Sequence, residues 1–367
     1  MALRFSIPRV RGHGAGLGNE LIPWARSFLA GQVVGAHALP PAFGFNSRKY
    51  WRHFGTPRYD WVLHKAMEYL LPVVEFKEAD YLRHGGGDVV QALRKFSDAE
   101  ELHRRQAFLL VTEGMWGGYE HIAAARDFMF STLYQSRFAA RNLMSIAERL
   151  HPDKPVIGMH VRLGDFLPPS SELGMYKGRF NCALPLQWYC NIAHSIYSKL
   201  GESVQFLVVS DGTREQLQPL LDTVPAFTTS DLPDSDCSDL LALAKADLLV
   251  CSVSSFSSIA AFLSEVPYLW FEPNLQMHDE GFYSIWGHEE GQRRMDSPTR
   301  RAIQYRLTAE NDLPDRGTPV GMQGDVPESV LLELMKRKQQ SNPLTDLIRY
   351  GVVPISSSHA GVESACT

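Results

Sequence analysis

The second half of the chain alternates short apolar blocks with longer segments whose apolar residues recur at helical spacing. Each apolar block ends in Gly, Pro or polar residues, which predicts buried strands. The blocks lie at residues 156–161, 205–210, 247–251 and 267–271. Helices are predicted at residues 185–199 and 213–222, in a short segment ending near 245, and at 256–263. Strands that alternate with helices predict a parallel sheet with right-handed crossovers.

The first half has a less regular pattern of the same kind. Strands are predicted at residues 3–9, 32–38, 72–76 and 108–112, and helices at 19–30, 59–71, 87–95, 97–106 and 119–150. The polar, Pro-punctuated stretch 151–155 predicts a domain boundary. We therefore predict an α/β protein with two Rossmann-like domains, residues 1–150 and 151–345. Within the second, residues 272–325 look mostly irregular and 327–340 helical, and the small, polar tail 346–367 is expected to be partly disordered.

Composition excludes several classes of protein. The 367 residues are 44% hydrophobic and 21% charged, which is ordinary for a globular chain, and the net charge of −5 argues against a general nucleic-acid binder. Five irregularly spaced cysteines without a C-x-x-C pair favour free thiols in a reducing compartment. No signal peptide is evident, and no stretch approaches the roughly 20 apolar residues of a membrane span. We expect a cytoplasmic protein without a transmembrane segment, and peripheral contact with a membrane stays open.

Polar side chains follow three of the predicted strands. The three sets are His160, Arg162 and Asp165; Ser210 and Asp211; and Ser252, Ser254 and Ser255. Because the carboxyl ends of parallel strands meet at one edge of a sheet, these groups should share one crevice. A guanidinium there suits a phosphate, since its planar fork stays charged and gives paired hydrogen bonds. The third set opens a helix, where amides and hydroxyls suit a pyrophosphate.

Each set also has a plain structural interpretation. Arg162 and Asp165 can form an ion pair that closes a turn. A serine at the start of a helix is commonly its cap, and Asp211 followed by glycine is commonly a turn. The joint placement of the three sets is what favours a ligand site.

A glycine-rich segment, residues 12–18, precedes a helix predicted to begin near Asn19. Its glycines allow backbone geometries closed to other residues, and amides at such a helix start can hold an anion or a sugar hydroxyl. The segment is not a P-loop, because Gly18-Asn19-Glu20 stands where Gly-Lys-Ser/Thr is needed, and its glycine spacing departs from the dinucleotide fingerprint. A tight strand-to-helix turn is the plain alternative. The aromatic and basic segment 40–57 either contacts a sugar acceptor or packs over the core.

These motifs together resemble those of a known enzyme family. The pattern from His160 to Phe166, His-x-Arg-x-Gly-Asp-Phe, resembles the first motif of fucosyltransferases with the glycosyltransferase-B fold, such as the α-1,2 enzymes. Related versions occur in α-1,6 and protein O-fucosyltransferases. Residues 209–211 resemble the second motif, 251–256 the third, and 14–21 the amino-terminal glycine element, in which Glu20 replaces the usual Gln. The resemblance covers residues 12–30 and 155–271.

The resemblance implies two domains that face each other across a cleft, and an inverting, metal-independent transfer of fucose from GDP-fucose, the donor substrate, to a hydroxyl of a glycan or glycoconjugate acceptor. No cofactor is implied. His160 and Asp211 would contact the guanine or ribose, and Arg162 the β-phosphate. The remaining implied donor contacts are Ser254 and Ser255 on the diphosphate, Phe256 along the nucleotide pocket, and Ser252, Gly16 and Gly18 on the nucleotide sugar. Asn19 would lie near the reacting sugar or the acceptor.

The expected mechanism is one displacement at C1, with Arg162 and helix-start amides stabilising the departing diphosphate. Arg162, Asp165 and Asn19 are the candidate catalytic residues. The general base stays open, since Asp165, Glu172 and Glu20 are all carboxylates near motifs.

Three alternatives remain. Asp234-Ser235-Asp236 fits the D-x-D pattern of metal-dependent glycosyltransferases, although it lies in a polar loop that is more simply a solvated turn. The enzyme could use another nucleotide sugar in the same crevice. The chain could also be a catalytically silent GDP-sugar-binding protein.

Overall fold

The computed structural model describes residues 2–9, 15–57, 59–84, 88–114, 120–169, 172–176, 182–264, 266–275 and 317–340. They form two compact units, the first made of the described residues up to Arg137 and the second of those from Phe138 onward. Each unit contains a parallel sheet with helices, which confirms the predicted α/β class. The cleft between the two domains stays a prediction. The tail 346–367 lies outside the described residues.

The first unit contains a four-stranded parallel sheet in the order β2-β1-β4-β3. Its strands are β1 (Leu3–Arg9), β2 (His37–Ala38), β3 (Val73–Phe76) and β4 (Ala107–Glu113). Its helices are α1 (Leu17–Val34), α2 (Trp51–Phe54), α3 (Asp60–Leu70), α4 (Glu78–Arg83), α5 (Val89–Ala99) and α6 (Arg126–Tyr134). On one face of the sheet, Ile7, Leu109 and Val111 pack against Met67 of α3. These contacts fix α3 on the sheet.

The second predicted strand, residues 32–38, is mostly helical. Helix α1 continues to Val34 and ends at Gly35, which adopts the left-handed conformation at φ 62° that favours glycine. Only His37–Ala38 pairs with β1. The paired valines before Gly35 favoured a strand, but burial of Val34 in the helix overrides that local propensity.

The long helix predicted at 119–150 is interrupted, and the two units divide there. Residues 135–138 separate α6 from α7 (Ala139–Arg149). The buried His53 holds this break, since its Nδ1 lies 2.9 Å from Ser136 Oγ and its carbonyl accepts from Arg137 N at 3.1 Å. Helix α7 belongs to the second unit, where Asn142 Nδ2 donates to Ser238 Oγ at 3.2 Å. The division therefore falls after Arg137 and before the Pro-punctuated stretch at 151–155, because the amphipathic α7 packs on the second unit.

The second unit contains a six-stranded parallel sheet in the order β10-β9-β8-β5-β6-β7. Its strands are β5 (Val156–Val161), β6 (Gln205–Ser210), β7 (Ala226–Thr228), β8 (Leu248–Val250), β9 (Tyr268–Phe271) and β10 (Gly317–Val320). Its further helices are α8 (Leu186–Leu200), α9 (Arg214–Thr223), α10 (Asp236–Ala244), α11 (Ser255–Leu263) and α12 (Glu328–Gln340). The two edge strands, β7 and β10, were not predicted.

Strand β5 is central in this sheet and buried along its whole length. Gly158 lies at a close approach, since a Cβ there would stand 2.8 Å from the Cβ of Ala246. This burial fixes the strand that carries His160 and leads into Arg162.

Two expectations concern the chain as a whole. No helix within the described ranges is long and apolar enough to cross a membrane. Four cysteines are buried free thiols, as predicted, at positions 182, 190, 237 and 251. Cys366 lies outside the described residues.

Candidate functional site

The three predicted polar sets follow three adjacent strands. Strand β5 pairs with β6 on one side and with β8 on the other, and all three run parallel. Val161 at the end of β5 is in register with Ser210 at the end of β6, so Arg162 and Asp211 leave the sheet side by side. The chain continues from β5 to β6 and β7 on one side of β5, and then to β8 and β9 on its other side. The carboxyl end of β5 is therefore a topological switch point, where α/β sheets bind ligands.

Arg162 is held between two carboxylates. Its guanidinium contacts Asp165 Oδ1 at 2.6 Å and Asp211 Oδ2 at 2.9 Å, and its Cζ lies 4.8 Å from the centre of the Phe166 ring. Asp211 also accepts from Leu163 N at 2.9 Å, and a Cβ at Gly164 would collide with its carboxylate. The turn-closing ion pair exists, but Asp211 also ties the arginine to the neighbouring strand.

The two partners of Arg162 differ in their exposure to solvent. The Asp165 side chain is 55% exposed and that of Asp211 28%. Ion pairs at such exposure contribute about 0–1 kcal/mol. A phosphate that gives paired, charge-assisted hydrogen bonds can therefore replace Asp165 at little cost.

His160 is buried within a cluster of serine hydroxyls. Its Nδ1 lies 2.7 Å from Ser257 Oγ and 3.0 Å from Ser252 Oγ, and Ser252 Oγ lies 2.9 Å from Ser254 Oγ. Burial, helped by the charge of Arg162 and opposed by Asp211, lowers the pKa of His160 to about 3. The imidazole is therefore neutral at neutral pH.

The third set forms the start of α11. Ser254 is the cap residue, with an extended backbone, and its Oγ accepts from Ser257 N at 3.3 Å. Ser255 and Phe256 begin the helix and are half-buried, and the Phe256 ring centre lies 4.9 Å from that of His160. The structure thus confirms that Ser254 caps the helix. The helix it opens directs amide N–H groups towards the same edge of the sheet.

Two polar residues of this region were missed by the sequence analysis. Ser257 binds His160, and its Oγ also accepts from Ser252 N at 2.9 Å. Asp239 lies in the first turns of α10, buried, with Oδ2 accepting from Ser235 Oγ at 2.6 Å, and burial raises its pKa to about 7. Neither residue has a distinct sequence pattern, because its partners come together only in the folded chain.

The D-x-D segment forms the turn that leads into α10. Asp234 adopts a positive φ of 47°, typical of a turn, and the hydroxyl of Ser235 is taken by Asp239. Within the described ranges, no group of three His, Cys, Asp or Glu side chains is arranged to hold a metal ion.

The glycine element and the aromatic segment belong to the first unit. Gly16 has an ordinary extended backbone with φ −66°, and Gly18 is buried in the first turn of α1. Neither position needs the conformational freedom that the glycine pattern predicted. Gly12 and Gly14, together with His13, lie outside the described residues. Asn19, in the first turn of α1, is half-buried.

Glu20 is buried and structural. Its Oε1 accepts from Asn46 Nδ2 at 2.9 Å, and the same amide donates to Ala15 O at 3.0 Å. Burial, helped by Asp60 and opposed by the Asn46 hydrogen bond, raises the pKa of Glu20 to about 7. This contact fastens the end of the glycine element to the aromatic segment, whose Tyr50 hydroxyl also accepts from Leu17 N at 2.8 Å.

The aromatic segment packs largely into the core. Phe43 and Tyr50 are at most 1% exposed, and Phe43 stacks on Phe54 with ring centres 5.3 Å apart. The packing interpretation is correct for these rings.

The carboxyl edge of the first sheet carries a charged cluster. Arg9, the last residue of β1, contacts Glu68 at 2.9 Å, Glu75 at 2.8 Å and Glu113 at 3.7 Å. Lys65 contacts Glu68 at 2.6 Å. Lys77 pairs with Glu75, so three cations balance the three glutamates of this cluster.

No protein family matches the chain by its sequence profile, and no curated protein matches its sequence. Solved structures with a similar fold include the fucosyltransferase NodZ from Bradyrhizobium, at 15% identity and a TM-score of 0.44 over 72% of this chain and 95% of that one. The apo form of POFUT1 is 13% identical with a TM-score of 0.38, over 71% and 95%. E. coli ADP-heptose lps heptosyltransferase II is 11% identical with a TM-score of 0.34, over 83% and 98%.

These likenesses are remote and do not assign an activity to the chain. The resemblance to α-1,2 enzymes rests on the sequence motifs alone. The function must therefore be argued from the site itself.

Proposed function

We propose that the chain is a glycosyltransferase that moves fucose from GDP-fucose to a hydroxyl of a glycan acceptor, with inversion and without a metal. The observation that supports it most is Arg162, which lies at the switch point of the second sheet between two carboxylates, of which Asp165 is the more exposed. A nucleoside diphosphate can be bound at one sheet edge by a fixed cation, a neutral hydrogen-bonding side chain and the amides of a helix start. Arg162, His160 and α11 provide these three features.

The roles of the residues follow from their chemistry. Arg162 binds the β-phosphate in place of Asp165. The hydroxyls of Ser252 and Ser254 and the α11 amides bind the rest of the diphosphate. The neutral His160 and the Asp211 carboxylate contact the ribose or base, and Phe256 supports the nucleotide. Asp239, a buried carboxyl in α10, is a further candidate contact for a polar edge of the base.

The proposed reaction is a single displacement. The acceptor oxygen bonds to C1 of the sugar while the bond from C1 to the phosphate oxygen breaks, and GDP leaves with the electron pair. Arg162 and the α11 amides stabilise the charge that develops on the diphosphate, which is the role a metal plays elsewhere. Asn19, together with Gly16 and Gly18, belongs to the acceptor or sugar side of the proposal.

The proton of the acceptor hydroxyl passes to a general base, for which three carboxylates are candidates. Asp165 is paired with Arg162, Glu20 is buried against Asn46, and Glu172 is exposed. Asp165 fits best, because displacement from Arg162 by a phosphate would release it beside the reacting sugar.

Incubation with labelled GDP-fucose and a panel of β-galactoside, lipid-linked and peptide acceptors tests the proposal. We expect labelled product that survives excess chelator. Loss of product in chelator would favour the D-x-D metal alternative. Transfer only from another nucleotide sugar would change the donor, and GDP binding without transfer or donor hydrolysis would identify a silent binding protein.

A further inference from the structure

Helix α3 presents an apolar face to solvent. The residues Tyr59, Val62, Leu63, Ala66, Tyr69 and Leu70 recur at intervals of three and four, so they share one side of the helix. Its large members are exposed by 69%, 46%, 54%, 89% and 73%. We call these six residues the α3 stripe. The opposite side of the helix carries the buried Asp60, His64 and Met67.

This arrangement reverses the usual pattern for a surface helix. Amphipathic helices of monomeric proteins turn their apolar side to the core and their polar side to water. Other large exposed apolar residues, such as Leu3, Met144 and Leu332, occur singly, which is normal. A continuous apolar stripe is instead typical of an interaction surface.

We infer that the α3 stripe binds the α3 stripe of a second copy of this chain, across a two-fold axis. The exposed fractions of its five large residues equal more than three whole side chains, or roughly 650 Å² at about 200 Å² for each. Two copies would bury roughly 1,300 Å², which lies within the range of about 1,200–2,000 Å² of stable interfaces. The area is thus sufficient for a dimer.

The charges of the helix favour a second copy over a lipid surface. Helices that lie on membranes carry several Lys or Arg beside their apolar face. Helix α3 has the single Lys65, which is paired with Glu68 at 2.6 Å, and no arginine. The stripe itself is uncharged, so two copies meet without like-charge repulsion, and the tyrosine hydroxyls at its ends can form hydrogen bonds at the rim. A two-fold contact needs a patch that is complementary to itself, as an uncharged apolar stripe is.

Sedimentation equilibrium of the full chain at micromolar concentrations tests this inference. We expect a species of twice the 41.2 kDa chain mass. In the double variant Leu63→Glu, Leu70→Glu the dissociation constant of the dimer should rise at least about a hundredfold, because four carboxylates would be buried in the contact. Both positions are exposed, so the melting temperature of the separated chains should hold.

A matched control is Leu332→Glu, which places the same charge on a 64% exposed leucine of α12 in the second unit. That variant should remain a dimer. A monomeric wild type, or a double variant that dimerises as tightly as the wild type, would overturn the inference. Flotation of a monomeric wild type with phosphatidylcholine vesicles would also overturn it and assign the stripe to lipid.

Discussion

The carboxyl edges of the two sheets each carry an arginine, and the two arginines have different kinds of partner. Arg9 is the last residue of β1, and it contacts glutamates from α3, β3 and β4, which the fold holds in place. Arg162 follows β5, and its partners Asp165 and Asp211 lie in the turns after strands. Arg9 is therefore part of the scaffold, whereas our proposal requires Arg162 to exchange the exposed Asp165 for a ligand. The difference shows that position in an α/β unit does not by itself make an arginine functional.

The largest expected effect is that of Arg162→Ala. It should lower turnover by about a hundredfold or more, since it removes the cation that stabilises the leaving diphosphate. Steady-state kinetics with GDP-fucose and the best acceptor would measure it.

Arg149→Ala is the matched control for this variant. Arg149 forms an exposed bidentate pair with Asp231 in the same unit, at 2.7 and 3.1 Å. Its loss should leave turnover within about twofold, as exposed pairs contribute little. Equal losses in the two variants would remove Arg162 from the mechanism.

The next effect concerns Glu20, whose pKa is raised to about 7 by burial. Between pH 4.5 and 7 the unfolded chain loses this proton while the folded chain keeps it, so stability falls as pH rises and then levels off. Glu20→Gln keeps the acceptor for Asn46 and removes the buried charge. The variant should become more stable than the wild type across that window, reaching a difference on the order of 3 kcal/mol above pH 7.

Urea unfolding at several pH values would measure this difference. The exposed Glu148→Gln should show no such trend and serves as the control. A constant difference between Glu20→Gln and the wild type across the window would contradict the buried, protonated carboxyl. His160 has the opposite effect on the pH dependence of stability. Its pKa is lowered to about 3, so the stability it contributes is lost as pH falls below 6.5.

Ser257→Ala should have a smaller effect on the site. Its hydroxyl positions His160 through the 2.7 Å contact at Nδ1, and loss of one buried hydrogen bond of this kind corresponds to about tenfold weaker GDP binding. The ¹⁵N shifts of the imidazole should also change, because the tautomer is no longer set by that hydroxyl.

The neighbouring Ser258 provides a close control. It is equally buried, but its hydroxyl donates to the backbone carbonyl of Ser254 at 3.1 Å. Ser258→Ala should leave the imidazole shifts unchanged. If both variants alter GDP binding alike with unchanged imidazole shifts, Ser257 is structural and does not position His160.

The smallest expected effect is that of Arg9→Ala on ligand binding. GDP affinity should stay within about twofold, while the free energy of unfolding falls by about 1 kcal/mol, because the ion pairs it removes are partly exposed. Calorimetry and urea unfolding would measure the two quantities. A loss of GDP affinity comparable to that of Arg162→Ala would end the distinction between the two sheet edges.

The sequence predicted the central parts of the fold well and the edges poorly. Strands β5 and β6 have the predicted bounds because they are continuous apolar runs buried on both faces. Strand β7 has three residues and β10 contains both Gly317 and Pro319, so neither carries a strand pattern. The break between α6 and α7 was hidden because it depends on His53, which is distant in sequence.

The residues of the candidate site likewise differ in how far their sequence pattern indicates them. Arg162, Asp211 and Ser254 could be predicted, since polar residues after parallel strands meet at one edge. Ser257 and Asp239 could not, because a serine or a single acidic residue within a helix has no distinct pattern until its neighbours are known. The backbone freedom expected at Gly16 is not used, as its conformation is one that other residues adopt, and its contact with the nucleotide sugar stays a prediction.

Titration calorimetry with GDP and with guanosine tests the central claim most directly. Paired hydrogen bonds from Arg162 to the diphosphate should contribute about 3 kcal/mol, so the wild type should bind GDP about a hundredfold more tightly than guanosine. In Arg162→Ala that preference should fall below about tenfold. A wild type that binds the two ligands equally, or a variant that keeps the full preference, would contradict the account.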